Sequence, residues 1–132
     1  MGKIRSKNNR TTEVRLRYAL VRAGIAGWRL HASIPGRPDF YFANKKIAIF
    51  VDGCFWHGCP KCGHIPRTNR AFWQAKIERN QKRSAKWDRL LQKDRILVLH
   101  IWECEIKCSL HAFLRRLNHH LERRGKRSRA IK

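Results

Sequence analysis

The chain has 132 residues, enough for one domain that buries roughly two-thirds of its unfolded surface without disulfides. Thirty-one Lys and Arg against nine Asp and Glu give a net charge of +22 at an ordinary 42% hydrophobic content. Charge of one sign at that density repels itself in the compact state, so a polyanion is the expected partner, nucleic acid first. No apolar run nears the ~20 residues of a membrane helix, and no apolar stretch follows the basic start, so no membrane role and a cytoplasmic location are expected.

Residues 1–10 read as a basic N-terminal arm. Thr11 to Ala23 form the first predicted helix, with Thr11 or Thr12 as cap, Glu13 in its first turn and Gly24 as its stop. Leu16, Leu20 and Ala23 mark its buried stripe, with Val14 and Val21 beside it. Ile25 to Gly27 are a turn and Trp28 to His31 a short extended piece. In "IPGRPDF", Pro38 fixes its own φ, so Asp39 begins the next strand, which runs to Ala43.

Asn44 and Lys45 read as a hairpin turn into "KIAIFVD", a continuous apolar run suited to a central strand covered on both faces. Asn69 caps a predicted long helix to about Lys93, with Phe72, Trp73, Ile77, Trp87, Leu90 and Leu91 as its apolar members. "RILVLHIWEC" is a further buried strand, and Leu110 to Leu121 the last helix. Residues 123–132 form a basic tail expected to be mobile. This order predicts a single α/β domain, a mixed sheet flanked by helices.

The densest chemistry lies in "VDGCFWHGCPKCGH", Val51 to His64. Cys54, Cys59 and Cys62 have a spacing that lets thiolates reach one Zn²⁺ from a single loop. The fourth ligand must come from elsewhere, and His57, His64, Cys104 and Cys108 are candidates. Buried inert cysteines are the alternative, but a loop crowded with Gly, Lys and His makes a poor apolar core.

Asp39 starts one strand and Asp52 ends the next, so an antiparallel hairpin brings them to one sheet edge. Carboxylates held near each other bind Mg²⁺, which stabilises phosphoryl-transfer charge. His57 is placed to orient or deprotonate a water. Phe55, Trp56 and Trp73 either stack on bases of a nucleic acid or form a small core around the metal; spacing alone does not choose.

"RSKN", "PGRPDF", "FVDGCFWHGCP", "RTNRAFWQAKI" and "VLHIWEC" occur in the order found in the very-short-patch-repair (Vsr) DNA mismatch endonucleases, which the chain resembles from about Ile4 to Ile106. The resemblance implies a restriction-endonuclease-like fold and Mg²⁺-dependent nicking of one strand of duplex DNA at T·G mismatches, which arise from 5-methylcytosine deamination. It implies that Asp39 is the catalytic, metal-binding aspartate, with the backbone carbonyl of Val51 as a further Mg²⁺ ligand. His57 matches a histidine associated with the attacking water, and Glu13 a further acid of the site.

Asp52 stands where some members carry a histidine, which leaves its role open. Cys54 and Cys104 match structural zinc ligands, and Cys59 and Cys62 replace a variable His/Cys pair. Phe55, Trp56 and Trp73 match aromatics that intercalate beside the mismatch, and Arg37, Arg79 and Arg83 are the basic groups expected on DNA. One departure is that Cys54 occupies the place of the usual restriction-fold lysine, so His57 must serve near the water. A mismatch lacks two-fold symmetry, which suits a monomer; other mismatch-repair proteins are further candidate partners. The competing readings are a same-fold restriction or defence nuclease that cuts matched DNA, and a non-catalytic zinc module that only binds nucleic acid.

Overall fold

The computed structural model describes residues 2–131, with side chains from 11 to 124. The elements are α1 (Gly2–Arg22), β1 (Trp28–Leu30), β2 (Phe40–Phe42), β3 (Ile47–Asp52), α2 (Cys54–His57), α3 (Arg70–Lys93), β4 (Leu97–Trp102), α4 (Glu103–Cys108) and α5 (Leu110–Ile131). The strands form one sheet in the order β1-β2-β3-β4. The first two pairings are antiparallel and β3 pairs with β4 in parallel, so the sheet is mixed. A parallel pair needs a long return, and the segment containing α2 and α3 supplies it.

Alternation along the strands divides the core in two. Ile47, Ile49, Leu99 and Ile101 face Leu16 and Leu20 of α1 and Phe113 and Leu117 of α5. Ala48, Phe50 and Val98 face the other way, onto Leu91 of α3 and Ile96. Ile47, Ala48 and Ile49 are fully buried, as the unbroken apolar run requires of a strand covered on both sides. The same alternation puts Asp52 and His100 on the α3 face, where the sheet's polar chemistry gathers.

The first helix begins at Gly2, so residues 2–10 continue α1 instead of forming a separate arm, and Thr11 and Thr12 lie inside the helix and not at its start. Thr12 is buried and Glu13 lies mid-helix. The buried line is Thr12, Leu16 and Leu20, four-residue steps that keep one face; Val21 is 62% exposed and Ala23 is exposed as well. The long helix ends at Lys93 as expected, and Asn69 precedes it at φ 57° with no side-chain capping bond.

Cys104 does not close a strand. β4 stops at Trp102 and Cys104 belongs to α4, whose start is fixed by Glu105 Oε1 accepting the Trp102 N–H at 3.0 Å. The basic tail expected from 123 begins inside α5. There Arg124 Nη1 donates to the carbonyls of Lys45, Lys46 and Arg95 at 3.0–3.1 Å, tying the helix to the opposite end of the sheet. Side chains beyond Arg124 lie outside those described.

Candidate active site and metal centre

Two parallel neighbouring strands release their chains at the same sheet edge, because Asp52 pairs with Trp102. The turn after β3 carries Cys54 and the turn after β4 carries Cys104. Glu103 Oε1 links them by accepting the Cys54 N–H at 3.0 Å. The Sγ atoms of Cys54, Cys59, Cys62 and Cys104 all lie within 4.8 Å of one another, and those of Cys59 and Cys104 are 3.8 Å apart. Four thiols gathered this closely, with no disulfide among them, could hold a metal ion. Of the four candidates for a fourth ligand, Cys104 is the one in this group; His57, His64 and Cys108 are not part of it.

The loop closes tightly around this cluster. The Cys59 N–H donates to the Cys54 carbonyl at 2.8 Å and the Gly63 N–H to the Cys59 carbonyl at 2.9 Å. A Cβ on Gly63 would lie 2.8 Å from the Cys59 carbonyl oxygen and 2.9 Å from that of Cys54, so only glycine fits. Burial pushes the Cys59 thiol up, but N–H groups of Cys62 and Lys61 and the neighbouring thiols outweigh it and bring it down to about 7. Burial dominates at Cys54 and raises it to about 11. Cys59 is therefore the readier thiolate of the two.

On the α3 side of the same edge, Asp39 sits just before β2, and its Oδ2 accepts the Val51 N–H at 2.7 Å. Glu13 reaches it from α1. His31, after β1, places its Nε2 2.7 Å from Glu13 Oε1. Donor atoms of Glu13, His31 and Asp39 lie within 4.8 Å of one another. Burial raises the Asp39 carboxyl to about 6 against the Val51 N–H, which lowers it; Glu13 and Asp52 push it further up and His31 opposes them. Asp39, Asp52 and His57 line one cleft of about 270 Å³ together with Arg37, Asn80 and Arg83.

Comparison with known proteins gives this geometry a lineage. The family model described as DNA mismatch endonuclease Vsr matches residues 1–62. The chain is 38% identical over 112 residues to DNA mismatch endonuclease Vsr of Escherichia coli, covering 78% of this chain and 71% of that one. The chain belongs to the Vsr family. Other relatives of this Vsr-family chain are type II nicking enzymes. V.NaeI of Lentzea aerocolonigenes is 36% identical over 115 residues, covering 83% of this chain and 69% of the relative. V.XorIIP of Xanthomonas oryzae pv. oryzae is 37% identical over 109 residues, covering 80% and 78%.

In this Vsr-family chain Asp52 does not stand alone. Its Oδ2 lies 2.8 Å from His100 Nδ1, and His100 Nε2 lies 2.7 Å from Asp88 Oδ2 on α3. Burial would lower the His100 pKa, but the hydrogen bonds and charges of the two aspartates outweigh it and raise it to about 9. Asp88 Oδ1 is buried without a hydrogen-bond partner among the described residues, which increases the need for that imidazolium.

His100→Ala should therefore destabilise the fold by about 2–3 kcal/mol, below the ~3–5 of a fully buried broken pair because the ring is partly exposed. The contribution should be full below pH ~6.5, the unfolded value, and disappear as pH rises through about 9. Urea unfolding of wild type and His100→Ala across that range checks both the size and the sign.

His31, His100 and Asp88 did not stand out in the sequence. The one legible signal was His100 itself, a titratable residue inside the apolar run "LVLHIW".

The aromatics cluster where the thiol loop meets α3. Phe55 and Trp56 pack edge-to-face at 5.0 Å, and Trp73 contacts both, at 5.6 and 6.0 Å. Phe72, one of the apolar members expected of this helix, extends the group against Trp73 and is 55% exposed. Lys76 Nζ lies 5.2 Å from the Trp56 ring. The Trp56 and His57 carbonyls accept from Asn80 Nδ2 and Gln81 Nε2 at 3.1 and 2.9 Å, which docks α2 on α3. Arg37, at φ 47°, and Arg83 are exposed at the cleft, while Arg79 is exposed on α3 one turn before Arg83.

Proposed function

We propose that this chain is a DNA endonuclease that nicks one strand of duplex DNA at a T·G mismatch arising from 5-methylcytosine deamination. The observation that carries the reading is the cleft: Asp39, Asp52 and His57 share it with Arg37 and Arg83 in a Vsr-family chain. A module that only bound nucleic acid would gain nothing from acids facing phosphate. The mixed sheet between helices supports a restriction-endonuclease-like fold.

The oxygen donors of Glu13 and Asp39 suit a hard divalent cation, with the Val51 carbonyl as a third candidate. Mg²⁺ there would supply positive charge against the charge that develops on the phosphate. Arg37 and Arg83 hold the DNA backbone across the cleft. His57 orients the attacking water, and its place is fixed by Gln81 on the backbone of α2.

The four cysteines are proposed as a structural Zn²⁺ site. A tetrahedron with Zn–S bonds of about 2.3 Å has S···S edges of about 3.8 Å, and the Cys59–Cys104 separation is 3.8 Å. Four protein ligands leave no open position for substrate. The ion's part is to hold α2 rigid, so that His57 points into the cleft while Phe55 and Trp56 point toward Trp73.

That aromatic group is the proposed mismatch sensor. A wobble pair stacks less well than a matched one, and opening a step costs about a few kcal/mol, so a partial saving yields selectivity. Phosphate contacts add affinity at every site alike. Trp56→Ala should lower the T·G-to-matched nicking ratio about tenfold or more while much of the salt-dependent binding remains. Neutralising Arg79 and Arg83 should weaken binding to both duplexes equally and flatten the salt slope. Rates and affinities on both duplexes across a salt series decide it. An unchanged ratio in Trp56→Ala would make the aromatics a core around the metal loop.

A further inference from the structure

The family resemblance implies Glu13 and Asp39 as acids of the site, and the third member of their cluster is a nitrogen donor. His31 stands at φ 50°, a left-handed conformation uncommon for a side chain with a Cβ. Its own N–H donates to the Asp39 carbonyl at 3.3 Å, so the strained residue is tied to the aspartate by the backbone. Its ring turns toward α1, where Nε2 lies 2.7 Å from Glu13 Oε1. Three elements thus deliver two carboxylates and one imidazole to within 4.8 Å of one another. Asp39 is desolvated and repelled by Glu13, and a cation between them offsets both effects.

We propose that His31 is a ligand of the divalent cation held by Glu13 and Asp39, and that it biases the site toward Mn²⁺ and similar transition ions over Mg²⁺. Imidazole adds little to a hard ion that prefers oxygen and water. It adds more to first-row transition ions, which take nitrogen readily. The His31 ring is more than half exposed, so it can turn from Glu13 to an ion between them without disturbing the core. This inference rests on the proposed function, because it concerns the cation of the same cleft.

The test uses the full chain with its thiol site first filled with zinc. Mn²⁺ is titrated and bound ion read by electron paramagnetic resonance, and Mg²⁺ affinity is obtained by competition. His31→Ala should lose about tenfold in Mn²⁺ affinity while Mg²⁺ changes less than about twofold. Pulsed resonance of bound Mn²⁺ should show an imidazole nitrogen in the wild type and none in His31→Ala. Unchanged Mn²⁺ affinity, or a nitrogen signal that persists in His31→Ala, would overturn the assignment. Asp39→Ala, which should lose both ions, separates this failure from that of the cleft itself. If Asp39→Ala still nicks DNA, the catalytic cleft assigned under the proposed function fails; if it is inactive and His31→Ala binds Mn²⁺ like wild type, only the ligand fails.

Discussion

Asp39→Ala should lose nicking by about a thousandfold or more while duplex binding stays intact or tightens slightly. The size follows from losing the proposed cation, which would contribute several kcal/mol to the transition state, at about 1.4 kcal/mol per tenfold. The direction of the binding change follows from charge: a carboxylate facing phosphate is removed from a chain of net charge +22. The same carboxyl predicts a pH dependence. Burial raises Asp39 to about 6, and a cation needs the ionised form, so cation affinity should fall as pH drops through about 6. The folded protein disfavours the charged carboxyl, so without a cation Asp39 costs stability as pH rises from about 4 toward 6. Single-turnover nicking and gel-shift binding of Asp39→Ala, with cation titrations of the wild type at several pH values, check these results. Undiminished nicking would refute the site.

Cys104→Ser should give the largest loss of stability. In the proposed zinc site Cys104 is the ligand that would tie the loop after β3 to the turn after β4, and three thiols from one loop would not replace it. A structural zinc ion held by thiolates contributes ~10 kcal/mol or more, and losing one of four ligands should remove at least ~3 kcal/mol of it. The variant should be purified with well under one zinc per chain, and Cys108→Ser, exposed four residues on, should behave like wild type. Elemental analysis and thermal unfolding of both variants read the outcome. Full zinc content in Cys104→Ser would exclude it as a ligand.

The legible part of the sequence was the part with period and punctuation. The run Ile47 to Val51 reads as a covered strand, and the proline-bounded strand start, expected at Asp39 and found at Phe40, and the long helix to Lys93 are local signals. The cysteine group was legible because thiols in a Gly-rich loop have few other uses, yet the place of Cys104 on a short helix was not. That helix depends on Glu105 turning back to the Trp102 N–H, a contact decided by the end of the sheet. The start of α1 was missed because Thr11 and Thr12 look like caps, whereas tertiary packing buries Thr12 in line with Leu16 and Leu20.

The polar network around Asp52 was invisible for a different reason. Asp52 and His100 are 48 residues apart, and Asp88 comes from a third element. Only the parallel register of β3 and β4 puts the first two side by side on the α3 face. His31 closes a short extended piece in the sequence pattern, and its ring's approach to Glu13 follows from a positive-φ backbone turn that no residue pattern announces.

The most direct measurement uses two duplexes identical except for one T·G pair, each strand carrying its own label, cut by the zinc-loaded protein with Mg²⁺. One strand of the T·G duplex should be nicked, at least about tenfold faster than either strand of the matched duplex, with the other strand left whole. Equal rates on the two duplexes, or cutting of both strands, would contradict the account and point to a nuclease that acts on matched DNA.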